Sequence, residues 1–230
     1  MKNTSAWIML PFRLMLFLCF QLLIAFVIGS FEESQKYWLL VASAVNVVNI
    51  PVLIWLFKSE GKSFLHLFKI DKTTLKKDLL LFLGIAILCG PVVFLPNILL
   101  SNWLWGDVAV PYNMMFQPLS ISLVVVLMIV FPVTIAFAEL ATYFGYIMPR
   151  LLDTMKRKWL AVLLPVIFLS IQHCALPFIP DVKFIVYRAL VFLPFALLIG
   201  LILYKKPQLF PYFAILHGLM DLGTVMVLLR

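Results

Sequence analysis

Residues 119–148 read LSISLVVVLMIVFPVTIAFAELATYFGYIM, an apolar run with a single charged side chain, Glu139. A helix needs about 20 mostly apolar residues to cross the hydrocarbon core of a bilayer, because each residue adds about 1.5 Å. The run therefore predicts a membrane-spanning helix that is tilted or extends beyond the bilayer. A carboxyl group in such a helix is costly, so Glu139 is also the first candidate functional residue.

Six further apolar segments lie at 8–29, 37–57, 79–100, 159–178, 185–204 and 209–229. The composition agrees with them, because 64% of the residues are hydrophobic and 12% are charged, with a mean hydropathy of +1.11. Soluble domains are about 45–50% apolar and about 25% charged, so a soluble enzyme and a disordered tail are both excluded. We predict an all-α, polytopic transmembrane helical bundle of about seven helices, with eight as the alternative. It forms one domain over 1–230.

The net charge of +8 follows the predicted topology. If the N-terminus is cytoplasmic, thirteen Lys and Arg residues fall in inner loops and three in outer loops, as the positive-inside rule expects. The inner residues are Lys2, Lys58, Lys62, Lys69, Lys72, Lys76, Lys77, Arg150, Lys156, Arg157, Lys158, Lys205 and Lys206, and the outer ones are Lys36, Lys183 and Arg230. The basic excess therefore indicates orientation in a lipid bilayer, and no nucleic-acid partner is expected.

Two connecting segments are longer than the rest. Residues 58–78 interleave lysines with apolar side chains such as Phe64 and Leu67, which predicts an amphipathic linker on the cytoplasmic headgroup surface. Residues 101–118 contain two Trp and one Tyr but no Lys or Arg, which is typical of an outer interfacial cap. The three cysteines lie in apolar runs without CxxC spacing, so neither a disulfide framework nor a thiolate metal site is expected.

Five ionisable side chains lie deep in the predicted helices: Glu139, His173, Arg188, His217 and Asp221. Counting from the inner basic residues places Glu139 and His217 roughly 16 Å deep, and His173 and Asp221 roughly 22 Å deep. His217 and Asp221 are four residues apart and so face the same side of one helix. We therefore predict that Glu139, His173, His217 and Asp221 form one shared site.

Three kinds of chemistry fit these four side chains. A carboxylate beside an imidazole can activate water as a nucleophile, and a second histidine can stabilise an oxyanion. Nitrogen and oxygen ligands of this kind also suit zinc. A proton relay in a transporter would use the same groups. Composition and spacing do not separate these alternatives.

Three short motifs resemble those of the CPBP family, the CAAX proteases and bacteriocin-processing enzymes that are also called Abi proteins. The family's first motif reads E-E-x-x-x-R and is usually followed by Gly-Tyr. Here Gly145-Tyr146 fixes the register, so that Glu139 matches the first glutamate. The second motif, F-x-x-x-H, resembles Leu169 to His173. The third, H-x-x-x-N or H-x-x-x-D, matches His217 to Asp221.

This resemblance runs from about residue 58 to the C-terminus, and it implies a core catalytic bundle over about 79–230 behind the basic linker. It implies an intramembrane endopeptidase acting on a peptide or membrane-protein substrate. Glu139, assisted by His173, would activate water, while His217 and Asp221 would bind the developing oxyanion. No cofactor is needed in this preferred interpretation. The alternative is a zinc ion held by Glu139, His173 and His217.

The first motif departs from the family pattern. The second glutamate is replaced by Leu140 and the arginine by Phe144. Arg188 is one candidate substitute partner for Glu139. The losses leave a second hypothesis open, a catalytically inactive family member that acts as a membrane scaffold or regulator. A third hypothesis is an ion-coupled transporter, although no inverted repeat is visible.

The resemblance also bears on location and biological role. The composition and the family pattern are typical of a multi-pass protein of a bacterial cell membrane. The family is tied to bacteriocin or peptide processing and to self-immunity. Either role is compatible with a catalytic or a non-catalytic protein.

Overall fold

The structure is a computed structural model that describes residues 2–229, with side chains described from residue 4 onward. The side chain of Lys2 and the whole of Arg230, both part of the charge count above, lie outside the described residues. The α-helices are α1 (Lys2–Ile28), α2 (Phe31–Ser34), α3 (Trp38–Ser59), α4 (Leu75–Trp105), α5 (Ala109–Met115), α6 (Ile121–Leu140), α7 (Met148–Thr154), α8 (Lys158–Ile171), α9 (Val182–Val191), α10 (Leu193–Lys205) and α11 (Phe210–Met226).

The prediction of a multi-pass helical bundle is confirmed. Residues 2–229 contain no strand, and seven helical stretches in them are long and apolar enough to span a membrane. Each overlaps one predicted segment. They are Thr4–Ile28, Phe31–Ser59, Leu75–Trp105, Ile121–Thr154, Lys158–Ala175, Val182–Lys205 and Pro207–Leu229.

The fourth span, the one judged too long from sequence, combines α6, a π-helical segment over Ala141–Ile147, and α7. The π-helical segment begins two residues after Glu139. All seven of its residues are buried. Such π-helical insertions are frequently found at functional sites, so this break in helix geometry draws attention to the end of α6.

Helix α6 lies at the centre of the bundle, where it packs against α3 and α11. The crossing with α11 is close because Gly218 has no side chain. A Cβ atom on Gly218 would lie 2.8 Å from the carbonyl oxygen of Pro132 and 3.2 Å from the Cβ of Ala136. Since His217 is the adjacent residue, this close approach brings the histidine-bearing part of α11 next to α6.

Helix α4 is the most peripheral of the long helices, and many of its apolar side chains are exposed, as expected for a lipid-facing surface. It packs against α9 and α10. It also contacts α11 near its N-terminal end, where Phe82 meets Tyr212 and Phe213. Beyond that contact, α4, α6 and α11 surround a cavity.

The linker 58–78 has the predicted amphipathic character. Its 3₁₀ segment, Phe64–Phe68, turns Phe64 into the core, and Phe68 packs on Phe137 and Phe210. Its lysine side chains are exposed. Leu67 packs so closely on Gly145 of the π-helical segment that a Cβ there would lie 2.7 Å from it. The linker therefore covers one end of the bundle with its apolar face.

An ion pair fastens the start of this linker to α7. Arg150 donates from Nε and from one terminal nitrogen to the two carboxylate oxygens of Glu60, at 2.8 and 2.7 Å. Burial alone would raise the pKa of Glu60, but the hydrogen bonds and the charge of Arg150 outweigh it and lower the pKa below its ordinary value. Glu60 is therefore an ionised anchor for the end of the fourth span.

Candidate functional site

Glu139 lies at the end of α6 and is 3% exposed. One of its carboxylate oxygens, Oε2, accepts a hydrogen bond from Gln172 Nε2 at 2.7 Å and a longer one from Arg13 at 3.5 Å. The other oxygen, Oε1, lies 3.3 Å from His217 Nε2. The buried carboxylate thus has a polar partner on each oxygen, as a buried charged group requires.

His217 and Asp221 meet on one face of α11, as their spacing predicted. His217 Nε2 lies 3.1 Å from Asp221 Oδ2, and the same nitrogen faces Glu139. Because carboxylates only accept hydrogen bonds when ionised, Nε2 is the protonated nitrogen that both oxygens share. His217 Nδ1 is buried without a hydrogen-bond partner among the described residues. The imidazole therefore bridges two carboxylates and keeps one polar atom free.

His173 shares the cavity with Glu139 but does not touch it. It lies just after α8, in the 3₁₀ turn Gln172–Ala175, and its ring stacks on Phe192 with centroids 4.1 Å apart. Its Nδ1 lies 2.9 Å from the carbonyl oxygen of Leu169. Because a carbonyl can only accept, Nδ1 carries the hydrogen, and in the neutral ring the lone pair is on Nε2.

Arg13 on α1 completes the surroundings of Glu139, and sequence reasoning did not assign it a role. The guanidinium is fully buried. It donates to Gln172 Oε1 at 3.0 Å, to Asn46 Oδ1 at 2.9 Å and to Glu139. Tyr143 donates to the same Gln172 oxygen at 3.1 Å, so one glutamine links a cation, a phenol and the carboxylate. The available signal was an arginine inside an otherwise apolar run.

The suggestion that Arg188 replaces the missing arginine of the first motif is wrong. Arg188 donates to the backbone oxygens of His173 and Leu176, and Arg13 occupies the position beside Glu139. It is also buried, at 4% exposure.

The two positions that depart from the family motif belong to the apolar core. Leu140 and Phe144 are each 3% exposed and lie within the larger hydrophobic cluster. Phe144 lies close to Gly200 of α10. An apolar pair at these positions leaves no charge unpaired there, which is the arrangement that burial favours.

A cavity of about 790 Å³ adjoins the candidate site. Glu139, His173, Arg188, His217 and Asp221 all line it. The rest of its wall is mainly apolar and comes from α4, α5, α6, α9, α10 and α11. Pockets of roughly 300–1,000 Å³ with a few convergent polar groups are typical of small-molecule and cofactor sites.

The zinc alternative stays a prediction, without an assembled ligand set among the described side chains. Among the side chains described, no group of three or more His, Cys, Asp or Glu is placed to hold a metal ion. The predicted set of Glu139, His173 and His217 is therefore not assembled as a ligand shell.

Comparisons with protein-family models, with curated proteins and with solved structures gave no match for this chain. The fold and the site therefore define a seven-span helical membrane protein with a buried carboxylate–imidazole cluster beside a cavity. The resemblance to the CPBP family stays a prediction that depends on the three motifs.

Proposed function

We propose that this chain is an intramembrane endopeptidase of the CPBP type, in a bacterial cell membrane, that hydrolyses a peptide bond within the bilayer. The observation that carries the proposal is the row Glu139–His217–Asp221 at the wall of the cavity, with contacts of 3.3 and 3.1 Å. His173 lines the same cavity, and its Nε2 has no hydrogen-bond partner among the described residues. Peptide or bacteriocin processing, or self-immunity, is the role that the family resemblance implies.

Glu139 is the proposed general base. Gln172 and Arg13 occupy Oε2, and each carboxylate oxygen has two lone pairs, so Oε1 can accept from a water molecule beside His217. Glu139 takes the proton of that water as the oxygen attacks the carbonyl carbon of the substrate. The C–N bond then breaks, and Glu139 returns the proton to the leaving amine.

His173 and His217 supply the remaining polar functions. The lone pair of His173 Nε2 can accept a hydrogen bond from the attacking water and so orient it. With Arg13 charged and both carboxylates ionised, a proton on His217 would make the cluster neutral, which is favoured inside a membrane. The imidazolium would then stabilise the oxyanion through its positive charge. Asp221 accepts from His217 and is proposed to orient it.

One observation favours a second candidate, a non-catalytic scaffold of the same family. The positions of the second glutamate and the arginine are filled by Leu140 and Phe144, both packed in the core. Such a protein would keep its cellular effect when Glu139 is replaced by glutamine. The peptidase would lose it.

Purified protein in proteoliposomes provides the test. A mixture of apolar peptides is incubated with wild type, Glu139→Gln and His217→Asn, and the products are identified by mass spectrometry. We expect Glu139→Gln to reduce cleavage by about 100-fold or more, the range for loss of a general base. Lys183→Gln, which removes an exposed cation that does not line the cavity, is the matched control. Cleavage by Glu139→Gln at the wild-type rate would rule out the mechanism, and inhibition by a chelator would revive the zinc alternative.

A further inference from the structure

Arg188 is a buried cation on the cavity wall, and the proposed hydrolysis does not use it. It lies on α9, is 4% exposed and lines the cavity. Its guanidinium lies over the ring of Phe192, 5.0 Å from the centroid, and Phe192 in turn stacks on His173. Arg188 is therefore a neighbour of the candidate catalytic histidine.

The hydrogen bonds of Arg188 leave its charge without an anion. Nε donates to the His173 carbonyl at 3.1 Å, and one terminal nitrogen donates to the Leu176 carbonyl at 2.6 Å. The other terminal nitrogen has only the Met115 thioether, at 3.4 Å, which is a weak acceptor. Among the side chains described, no carboxylate oxygen lies within 4.0 Å of the Arg188 guanidinium, the limit for an ion pair.

The two carbonyl contacts account for one function of Arg188, which is to hold the turn that carries His173. Lysine or a neutral donor could supply part of that. The two carbonyl contacts do not explain why a full charge lies in an apolar cavity wall, because such a charge is costly unless an anion pairs with it. A guanidinium has five N–H donors, and two of those of Arg188 have no partner among the described residues.

We propose that Arg188 binds a carboxylate of the peptide that occupies the cavity. The inference rests on the proposed function and narrows its substrate class to apolar peptides with a carboxylate, either the C-terminal one or an acidic side chain. Paired N–H groups of a guanidinium match the two oxygens of a carboxylate. The peptide would lie with its carboxylate at Arg188, on the side of the cavity towards Met115 of α5, and its scissile bond towards Glu139.

Binding to the Glu139→Gln protein in nanodiscs of phosphatidylcholine separates recognition from hydrolysis. The probes are three dansyl-labelled peptides: Leu-Ala-Leu-Ala-Leu with a free C-terminal carboxylate, the same peptide as its C-terminal amide, and an amidated version with one internal glutamate. We expect at least one carboxylate peptide to bind about tenfold or more tightly than the neutral amide, the effect of one charge-assisted hydrogen bond. Which of the two binds distinguishes a terminal from a side-chain carboxylate.

The variants assign that preference to Arg188. Arg188→Gln should abolish the preference and leave binding of the neutral amide within about twofold. Arg188→Lys, which keeps the charge but loses the paired geometry, should retain part of it. Lys183→Gln, which removes an exposed cation of the same helix, should keep the preference intact. If Arg188→Gln fails to fold, two measurements still test the proposal. They are the preference of the Arg188→Lys protein, and the affinity of the protein that retains Arg188 for the carboxylate peptides relative to the neutral amide.

Three results would overturn the proposal. They are equal or absent binding of acidic and neutral peptides, an unchanged preference in Arg188→Gln, and displacement of the acidic peptide when phosphatidylglycerol is added. The last would assign the cation to a lipid phosphate. A carboxylate preference without cleavage by wild type would instead contradict the peptidase alone. Cleavage without a carboxylate preference would contradict this inference alone.

Discussion

Replacing Arg13 by methionine removes the only guanidinium within ion-pair distance of Glu139 among the described residues. The substitution deletes hydrogen bonds to Gln172, Asn46 and Glu139. At about 0.6 kcal/mol each, the average for polar contacts in membrane proteins, these bonds contribute about 2 kcal/mol. The substitution also leaves Glu139 buried without its cation. Breaking a buried ion pair in this way lowers stability by about 3–5 kcal/mol, so the expected loss of stability is larger than that of the hydrogen bonds alone. We therefore expect a loss of about 2–4 kcal/mol.

A double-mutant cycle with Glu139→Gln tests whether the two residues interact. Removing both charges leaves no unpaired ion at this contact. The double variant should therefore lose about 1–2 kcal/mol less stability than the sum of the losses of the two single variants. Unfolding by sodium dodecyl sulfate in mixed micelles, followed by tryptophan fluorescence, gives the free energies. Lys183→Met is the control. It should shift stability by less than about 0.5 kcal/mol, as is usual for exposed positions.

Strict additivity of Arg13→Met and Glu139→Gln would refute the reasoning, because it would mean that the 3.5 Å contact carries no interaction energy. A loss below about 0.5 kcal/mol for Arg13→Met alone would contradict it as well. Either outcome would contradict the interpretation of Arg13 as the stabilising partner of Glu139.

Three further predictions concern the frame around the site. Glu60→Gln should lower stability at neutral pH but not in acid. The ion pair with Arg150 lowers the pKa of Glu60, so wild type loses the stability that this pair contributes as the pH falls below about 4.3. A difference in unfolding free energy between the two proteins that persists in acid would contradict this. Gly218→Val should lower the free energy of unfolding by about 1–3 kcal/mol and slow peptide cleavage. The valine side chain would collide with the Pro132 carbonyl and separate α11 from α6. A folded variant with unchanged activity would contradict the close crossing. Phe144→Arg, which introduces the arginine of the CPBP motif, should destabilise the protein by several kcal/mol because it buries an unpaired charge. Expression and unfolding like those of wild type would contradict the placement of Phe144 in the core.

The membrane spans were predictable because length and apolar composition are local properties of a segment. Each of the seven predicted segments overlaps a span found in the structure. The internal geometry of the fourth span was not predictable in the same way. The π-helical segment that begins at Ala141 contains Gly145, which packs against Leu67, seventy-eight positions away in the chain. Sequence periodicity carries no information on such contacts.

The site was predicted in part, for a related reason. Counting helical rise placed Glu139 and His217 at one depth, and the structure brings them to 3.3 Å. The same counting assumed that His173 continues α8, but α8 ends at Ile171 and His173 lies in a 3₁₀ turn. Its side chain therefore points into the cavity without touching Glu139.

The contact between Arg13 and Glu139 was not predicted from sequence. Arg13 is eleven residues from Lys2, as Glu139 is from Arg150, so depth counting agrees with Arg13 as the partner of Glu139, but it does not show which helices pack together. The partner is decided by which helix packs beside the end of α6 on the side of Oε2, and that helix is α1. The interruption of the first apolar segment by an arginine was the one sequence signal that marked a site residue without revealing its role.

The most direct test of Glu139 as the catalytic base is the ratio of single-turnover cleavage rates for wild type and Glu139→Gln, on one peptide that wild type cleaves in proteoliposomes. The replacement keeps the side-chain volume and its acceptor towards Gln172 while removing the base, so both proteins should unfold cooperatively and bind the peptide. We predict a ratio of about 100 or more. A ratio near one, with both proteins folded, would contradict the assignment of Glu139 and with it the proposed peptidase mechanism.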